Sequence, residues 1–184
     1  YFVLCPDTPG RGLSAWARDP VRDYCYRRFG EVALLVLERY GIGNLRWVGT
    51  SMGGLLGVTL AAGALRERMS HLVINDIGPE IPEAAIDRIA AYVGNPPVCD
   101  TIAELEAWLR RTYAPFGENS DVFWRRMADT SARRNDDGRV TLHYDPRIVA
   151  QFTHHRADLD VWNAYDAVKA KTLLLRGESS DVLS

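Results

Sequence analysis

The spacing of apolar residues changes several times along the chain, and each change predicts a different element. An apolar run over Tyr1–Cys5 predicts a buried strand, which a loop rich in turn-forming residues ends. Apolar side chains at helical spacing over residues 24–40 predict a helix, and two glycines follow it. Short apolar runs at residues 45–49 and 71–75 predict two more buried strands. Alternating strands and helices favour a parallel sheet that is covered on both faces.

Helical spacing replaces this alternation from Glu80 to about Ala167. It predicts helices over Pro82–Val93, Thr101–Tyr113 and Asp121–Thr130, of which Thr101 and Ser120 would cap the last two. This segment is rich in aromatic residues, and we expect it to form a lid over the carboxyl edge of the sheet; the alternative is a second helical layer with an ordinary aromatic core. A strand returns at residues 172–176. The resulting division is a core sheet at 1–79, a helical cap at 80–167 and a return to the sheet at 168–184.

One junction between a predicted strand and a predicted helix carries candidate chemistry. The sequence Gly49-Thr50-Ser51-Met52-Gly53-Gly54 places a serine at a sharp turn, with a glycine two positions away on either side. Such a turn exposes the hydroxyl of Ser51 above the sheet, beside a helix N-terminus that favours developing negative charge. The alternative is a glycine-rich turn that binds a phosphate or binds nothing.

Composition narrows the possible partners. The 184 residues carry a net charge of −2, which steers the protein neither to nucleic acid nor to an anionic membrane. Three cysteines without a Cys-x-x-Cys spacing argue against a disulfide framework or a zinc site, and they favour a reducing compartment. No apolar run is long enough to span a bilayer. We therefore expect a cytoplasmic protein.

Four motifs, in this order, resemble those of the α/β-hydrolase superfamily. They are Asp7-x-Pro9-Gly10-x-Gly12-x-Ser14, Gly49-x-Ser51-x-Gly53-Gly54, Asn75-Asp76-Ile77-Gly78-Pro79 and Gly177-Glu178-x-Ser180-Asp181. The resemblance implies an α/β-hydrolase fold, a mostly parallel sheet flanked by helices, with a helical cap inserted after the sixth strand of the family. It also implies a catalytic serine, acid and histidine, in that chain order.

The resemblance assigns roles residue by residue. Ser51 matches the nucleophile, and the backbone N–H of Met52 matches one donor of the oxyanion hole. Asp181 matches the acid that orients the base. Asp76 is the alternative acid, because some members of the family carry it after the sixth strand. An aspartate before a Gly-Pro turn also commonly binds local backbone, which favours Asp181.

The catalytic histidine has no match in this chain. The family places it after the acid, whereas all four histidines precede Asp181; they are His71, His143, His154 and His155. The strand and loop that would supply the second oxyanion donor are also absent, because Tyr1 already resembles the fourth strand. We therefore expect an internal fragment of a larger hydrolase, which is insoluble or inactive when expressed alone.

The function that this resemblance implies is a serine hydrolase of a small or medium carboxylic ester, thioester or lactone. This chemistry needs no metal or organic cofactor. A carbon–carbon bond hydrolase and an acyltransferase of the same fold remain open, as does a protein that only binds a small ligand. Three aromatic residues of the predicted cap are candidates for the substrate pocket: Trp108, Trp124 and Tyr144. The sequence leaves the substrate and the oligomeric state open.

Overall fold

A computed structural model describes residues 1–178 and 180–183. The helices are α1 (Pro20–Asp23), α2 (Tyr26–Arg39), α3 (Met52–Ala62), α4 (Glu83–Val93), α5 (Ile102–Thr112), α6 (Asp121–Ser131), α7 (Ala150–Thr153) and α8 (Trp162–Asp166). The strands are β1 (Leu45–Thr50), β2 (Met69–Asn75), β3 (Ala132–Arg134), β4 (Val140–Leu142) and β5 (Lys171–Leu175). No helix in the part of the chain that the structure describes combines the length and apolar character needed to cross a membrane.

The central element is a parallel sheet with the strand order β1-β2-β5. Its register pairs Trp47 with Leu72, and Val73 with Leu173. Helix α3 connects β1 to β2 and packs on the sheet through a nearly continuous apolar surface, with Leu55 and Val58 almost fully buried. A helix without a polar face is stable only when it is covered on most sides, so α3 lies at the centre of the main core. Helix α2 covers it further.

The predicted strand at Tyr1–Cys5 is wrong. These residues form no regular element, and the side chains of Tyr1, Phe2 and Val3 are exposed. An apolar run becomes a strand only where a neighbour completes its backbone hydrogen bonds, and no described residue does so here. Side-chain contacts hold the segment instead, since Arg46 donates to the Tyr1 hydroxyl at 2.9 Å and stacks on its ring.

The three helices predicted between residues 80 and 167 are present as α4, α5 and α6. The hydroxyl of Thr101 accepts the N–H of Glu104 at 3.1 Å, and that of Ser120 accepts the N–H of Phe123 at 3.2 Å. The carboxylate of Glu104 accepts the N–H of Asp100 rather than that of the cap residue itself. Both helix starts are therefore stabilised by the expected side-chain caps. At the start of α5, the second hydrogen bond of the capping box binds the residue before the cap.

A small antiparallel ribbon of β3 and β4 follows α6, which the sequence did not predict. It packs on α5 and α6 around a second core, which consists of Leu105, Leu109, Trp124, Ala128, Val140 and Leu142. The structure thus shows helices and a ribbon where the cap is predicted. Their role as a lid over the active site stays a prediction.

A buried carboxylate joins the first loop to the segment after β4. Asp145 is fully buried and accepts the hydroxyl of Tyr24 at 2.7 Å and the guanidinium of Arg147 at 2.8 Å. Burial acts to raise the pKa of Asp145, but the hydrogen bonds from Arg147 and Tyr24 outweigh it and hold the pKa below its ordinary value. Tyr24 in turn accepts the N–H of Ala17, so the loop before α1 is tied to this network.

Candidate active site

Ser51 occupies the sharp turn that the sequence predicts between β1 and α3. Its backbone has φ 51° and ψ −118°, and it is one of two non-glycine residues with positive φ in the described chain. A non-glycine residue in such a conformation costs of the order of 1–3 kcal/mol, which the surrounding structure must offset. The N–H of Ser51 donates to the carbonyl of Asn75 at 3.0 Å, and its carbonyl accepts the N–H of Gly54 at 2.8 Å. The strained turn is therefore held by both the sheet and the helix.

The glycines around Ser51 differ in what they do. A Cβ atom on Gly49 would lie 2.1 Å from the carbonyl oxygen of Gly53, and one on Gly54 would lie 2.6 Å from Ile77 Cγ2. A Cβ atom on Gly53 would meet nothing within 4 Å. The close approach of strand and helix thus requires Gly49 and Gly54, whereas the second glycine of the Gly-x-Ser-x-Gly pattern is not needed for space.

Met52 is the first residue of α3, directly after Ser51. The N–H groups of the first helical turn have no acceptor within their own helix, and they form the positive end of its dipole. Ser51 is exposed, so a reacting group could reach both its hydroxyl and this end of the helix. This placement suits the predicted oxyanion role of Met52, which stays a prediction.

Asp76 is the second non-glycine residue with positive φ, at 54°. It follows β2 directly, donates its N–H to the carbonyl of Leu175 at 2.8 Å and accepts the N–H of Gly177 on Oδ1 at 2.8 Å. The sequence predicts that this carboxylate binds local backbone, but its partner lies after β5, 101 residues away. Asp76 therefore fixes the start of the turn that carries Asp181.

Asp181 lies in the turn after β5 and is exposed. Both of its carboxylate oxygens accept from one nitrogen of Arg88, at 2.9 and 2.7 Å. Arg88 belongs to α4, so this ion pair connects the predicted cap to the predicted acid. A carboxylate offers about four acceptor positions, so Asp181 can still receive a further donor such as a histidine N–H.

The four histidines lie away from the turn of Asp181 in sequence and in their contacts. His71 pairs with Arg46 and Lys171 near the amino ends of the strands, at the opposite edge from Ser51. His155 contacts the carbonyl of Val21 through Nε2. Within residues 1–178 and 180–183, no cluster of His, Cys, Asp or Glu side chains is placed to hold a metal ion.

The predicted pocket residues separate into two groups. Trp124 is buried in the second core, under the guanidinium of Arg110. Trp108 instead packs edge-on against Tyr113, whose burial raises its pKa to about 12. Tyr144 donates its hydroxyl to the carbonyl of Tyr92 at 3.5 Å.

Tyr92 and Tyr113 connect Trp108 and Tyr144 into one aromatic surface. Their rings are 5.7 Å apart in an edge-to-face arrangement, and Tyr113 also stacks on Phe116. We call this set the tyrosine surface: Tyr92, Trp108, Tyr113, Phe116 and Tyr144. The sequence did not single out Tyr92, although its four-residue spacing from Arg88 places both on one side of α4.

Replacing Gly49 with alanine tests the close contact below Ser51. We expect Gly49→Ala to lower the free energy of unfolding by about 2 kcal/mol or more, because the new methyl group meets backbone that cannot move aside. Gly53→Ala is the matched control, which we expect to be neutral or stabilising by up to about 1 kcal/mol. Urea unfolding of the two variants of the whole protein measures both values. Equal losses in the two variants would contradict the assigned contact.

Two substitutions of Asp76 separate a positioning role from a catalytic one. An asparagine keeps an oxygen that can accept the Gly177 N–H and tolerates positive φ, whereas an alanine does neither. We expect Asp76→Asn to keep at least about a tenth of the wild-type kcat, and Asp76→Ala to lose about 10- to 100-fold. Asp181→Asn, measured alongside, should lose more than Asp76→Asn. The reverse order would make Asp76 the acid.

Comparison with known proteins finds curated relatives of this chain. A 3-hydroxybutyrate-oligomer hydrolase of Cupriavidus necator is 33% identical over 192 residues, covering 100% of this chain and 65% of the relative. A 3-oxoadipate enol-lactonase of Acinetobacter baylyi is 32% identical over 143 residues, covering 75% of this chain and 50% of the relative. The chain thus spans two thirds or less of the length of these curated relatives.

A solved structure shares the fold closely. The crystal structure of an alpha/beta hydrolase from Novosphingobium aromaticivorans superimposes with a TM-score of 0.87 at 32% identity, covering 98% of this chain and 64% of that one. The family model for the alpha/beta hydrolase fold matches residues 1–183. With its parallel sheet, its serine turn and this match over nearly its whole length, the chain belongs to the α/β-hydrolase family.

Proposed function

We propose that the whole protein hydrolyses a small or medium carboxylic ester, thioester or lactone through an acyl-enzyme on Ser51. The observation that carries this proposal is the strained backbone of Ser51, held between β1 and the N-terminus of α3. The names of the two curated relatives, an oligomer hydrolase and an enol-lactonase, support ester or lactone hydrolysis in general. Three free cysteines, of which Cys5 is exposed, suit a cytoplasmic location.

In the proposed mechanism the hydroxyl oxygen of Ser51 attacks the carbonyl carbon of the substrate. A histidine outside this chain takes the hydroxyl proton, and the N–H of Met52 stabilises the oxyanion that forms. The leaving oxygen or sulfur then takes the proton from the histidine as its bond to carbon breaks. Water repeats these steps on the acyl-enzyme and releases the acid.

Asp181 is the proposed partner of that histidine. Arg88 holds its carboxylate through both oxygens and so limits its rotation before the histidine binds. Asp76 positions Asp181 indirectly, since it fixes the backbone of Gly177 at the start of the same turn. The acid would thus be positioned from α4 on one side and from β2 on the other.

Substitution of Ser51 tests the proposal. In the whole protein, we expect Ser51→Ala to lower kcat for para-nitrophenyl esters at least about a thousandfold, because no other group can form the acyl-enzyme. A fluorophosphonate probe should label the wild-type protein and not this variant. Ser70→Ala is the control, since Ser70 is an exposed serine of β2 whose hydroxyl donates to the Leu45 carbonyl and contacts Nδ1 of His71, near the amino end of the strand. It should keep both the activity and the label.

The remaining outcomes distinguish the other candidates. Labelling of Ser51 without ester turnover would favour a carbon–carbon bond hydrolase or an acyltransferase. A folded whole protein with neither labelling nor turnover would contradict the proposal and favour a ligand-binding role.

A further inference from the structure

Arg11 is a cation that lacks an acidic partner. It lies in the first loop between Gly10 and Gly12, and no carboxylate of the described residues is within ion-pair distance of its guanidinium. Its Nη1 donates to the carbonyl of Pro9 at 3.3 Å. The guanidinium has five N–H groups in a planar fork, so most of its hydrogen-bonding capacity is unused by this part of the chain.

This guanidinium packs on an aromatic ring. It lies over the ring of Phe29 at 5.4 Å from the centroid, and Tyr26 packs edge-on against the same ring at 6.4 Å. Burial lowers the pKa of Arg11, although the nearby Tyr26, Tyr24 and Tyr144 act in the opposite direction. A cation–π contact offsets only part of the cost of withdrawing a cation from water. The site therefore favours an anion as a partner.

The free donors keep some exposure to solvent. In residues 1–178 and 180–183, the hydroxyl of Tyr26 and the Nε and Nη2 groups of Arg11 have no hydrogen-bond partner. The polar atoms that are both buried and unbonded are Arg133 Nε and Gln151 Oε1, so these donors are not sealed from solvent. A small ligand can therefore reach a guanidinium and a phenol that both pack against Phe29.

The loop that presents Arg11 is held before any ligand binds. Gly10 and Gly12 have φ 81° and 53°, and a Cβ atom on either would overlap Tyr24 or Asp7. The N–H of Gly12 donates to the carbonyl of His143 at 2.9 Å, and the carbonyl of Gly10 accepts the N–H of Asp145 at 2.8 Å. A preorganised loop loses little conformational freedom on binding, which favours affinity.

Arg11 is also linked to the candidate active site. Its backbone forms an antiparallel bridge with Tyr144, one end of the tyrosine surface. Tyr144 contacts Tyr92 in turn, and Tyr92 is close enough to Arg88 and Asp181 for their charges to act on it. Arg88 is already paired with Asp181, whereas Arg11 has no such partner in the described structure. Of these two arginines, Arg11 is the one available to a ligand.

We propose that Arg11, with the hydroxyl of Tyr26, binds a carboxylate of the substrate, so that the preferred esters or lactones carry a free acid group. The fork of a guanidinium matches the two oxygens of a carboxylate. The inference rests on the proposed function for its catalytic consequence, while carboxylate binding itself can be tested separately.

A pair of matched esters tests this inference in the whole protein. The mono-para-nitrophenyl ester of glutaric acid carries a free carboxylate, and para-nitrophenyl pentanoate has the same chain length without one. We expect the wild type to have a lower KM for the glutarate ester. Arg11→Gln should raise that KM about 10- to 100-fold and change the KM for the pentanoate ester by less than about threefold.

Two further variants control for charge and folding. Arg39→Gln removes the same charge from an exposed position on α2 and should leave the preference unchanged. Arg11→Lys keeps the charge but lacks the fork, so it should fold and show an intermediate KM for the glutarate ester. Equal effects of Arg11→Gln on both esters, or a wild type without the preference, would overturn the inference.

Binding without turnover separates this inference from the proposed function. Titration calorimetry with glutarate, against glutaramide as the neutral control, measures carboxylate binding directly. Glutarate binding that Arg11→Gln abolishes would support the carboxylate site even if neither ester were hydrolysed. In that case only the proposed function would fail. Absence of glutarate binding to the wild type, together with equal KM values for the two esters, would contradict the site.

Discussion

Backbone hydrogen bonds at the carboxyl ends of the parallel strands hold the candidate site together. The N–H of Ser51 binds the carbonyl of Asn75, and the N–H of Asp76 binds the carbonyl of Leu175. Each bond extends the strand ladder by one residue, into a residue whose φ is positive. The strain of these two residues is therefore offset by the pairing of the sheet itself, and the two turns are fixed relative to each other.

The packing of the main core also depends on the junction between β1 and α3 at which Ser51 lies. Helix α3 can approach the sheet closely because Gly49 and Gly54 leave no side chain between strand and helix. Trp47 adds to this contact, since its indole N–H donates to the carbonyl of Gly53 at 2.8 Å. The position of Met52 at the start of α3 follows from this packing, and so does the direction in which the helix dipole points.

Local patterns in the sequence predicted the elements near Ser51 well. Strands β1, β2 and β5 and helices α2 to α6 follow from apolar spacing, caps and glycines, which act over a few residues. The ribbon of β3 and β4 was missed because each strand has only three residues, too few to show alternation. The strand predicted at Tyr1–Cys5 was wrong because an apolar run carries no information on whether a neighbouring strand pairs with it.

Contacts between distant residues account for the rest of what the sequence did not predict. Arg88 and Asp181 are 93 residues apart, and Tyr24 and Asp145 are 121 residues apart. The spacing of apolar residues does not identify such pairs, because each of these residue types also occurs at ordinary exposed positions. The family resemblance named Asp181 and Asp76 as acids, but only the structure shows that one contacts α4 and the other the backbone after β5.

We propose above all that the strained turn between β1 and α3 presents Ser51 as a nucleophile. Rapid quenching of the whole protein during turnover of a slowly hydrolysed ester, followed by peptide mass spectrometry, tests it most directly. The account predicts an added acyl mass on the peptide that contains Ser51, which appears before the product reaches its steady rate of release. Ester turnover without acylation of Ser51, or with acylation at another residue, would contradict it.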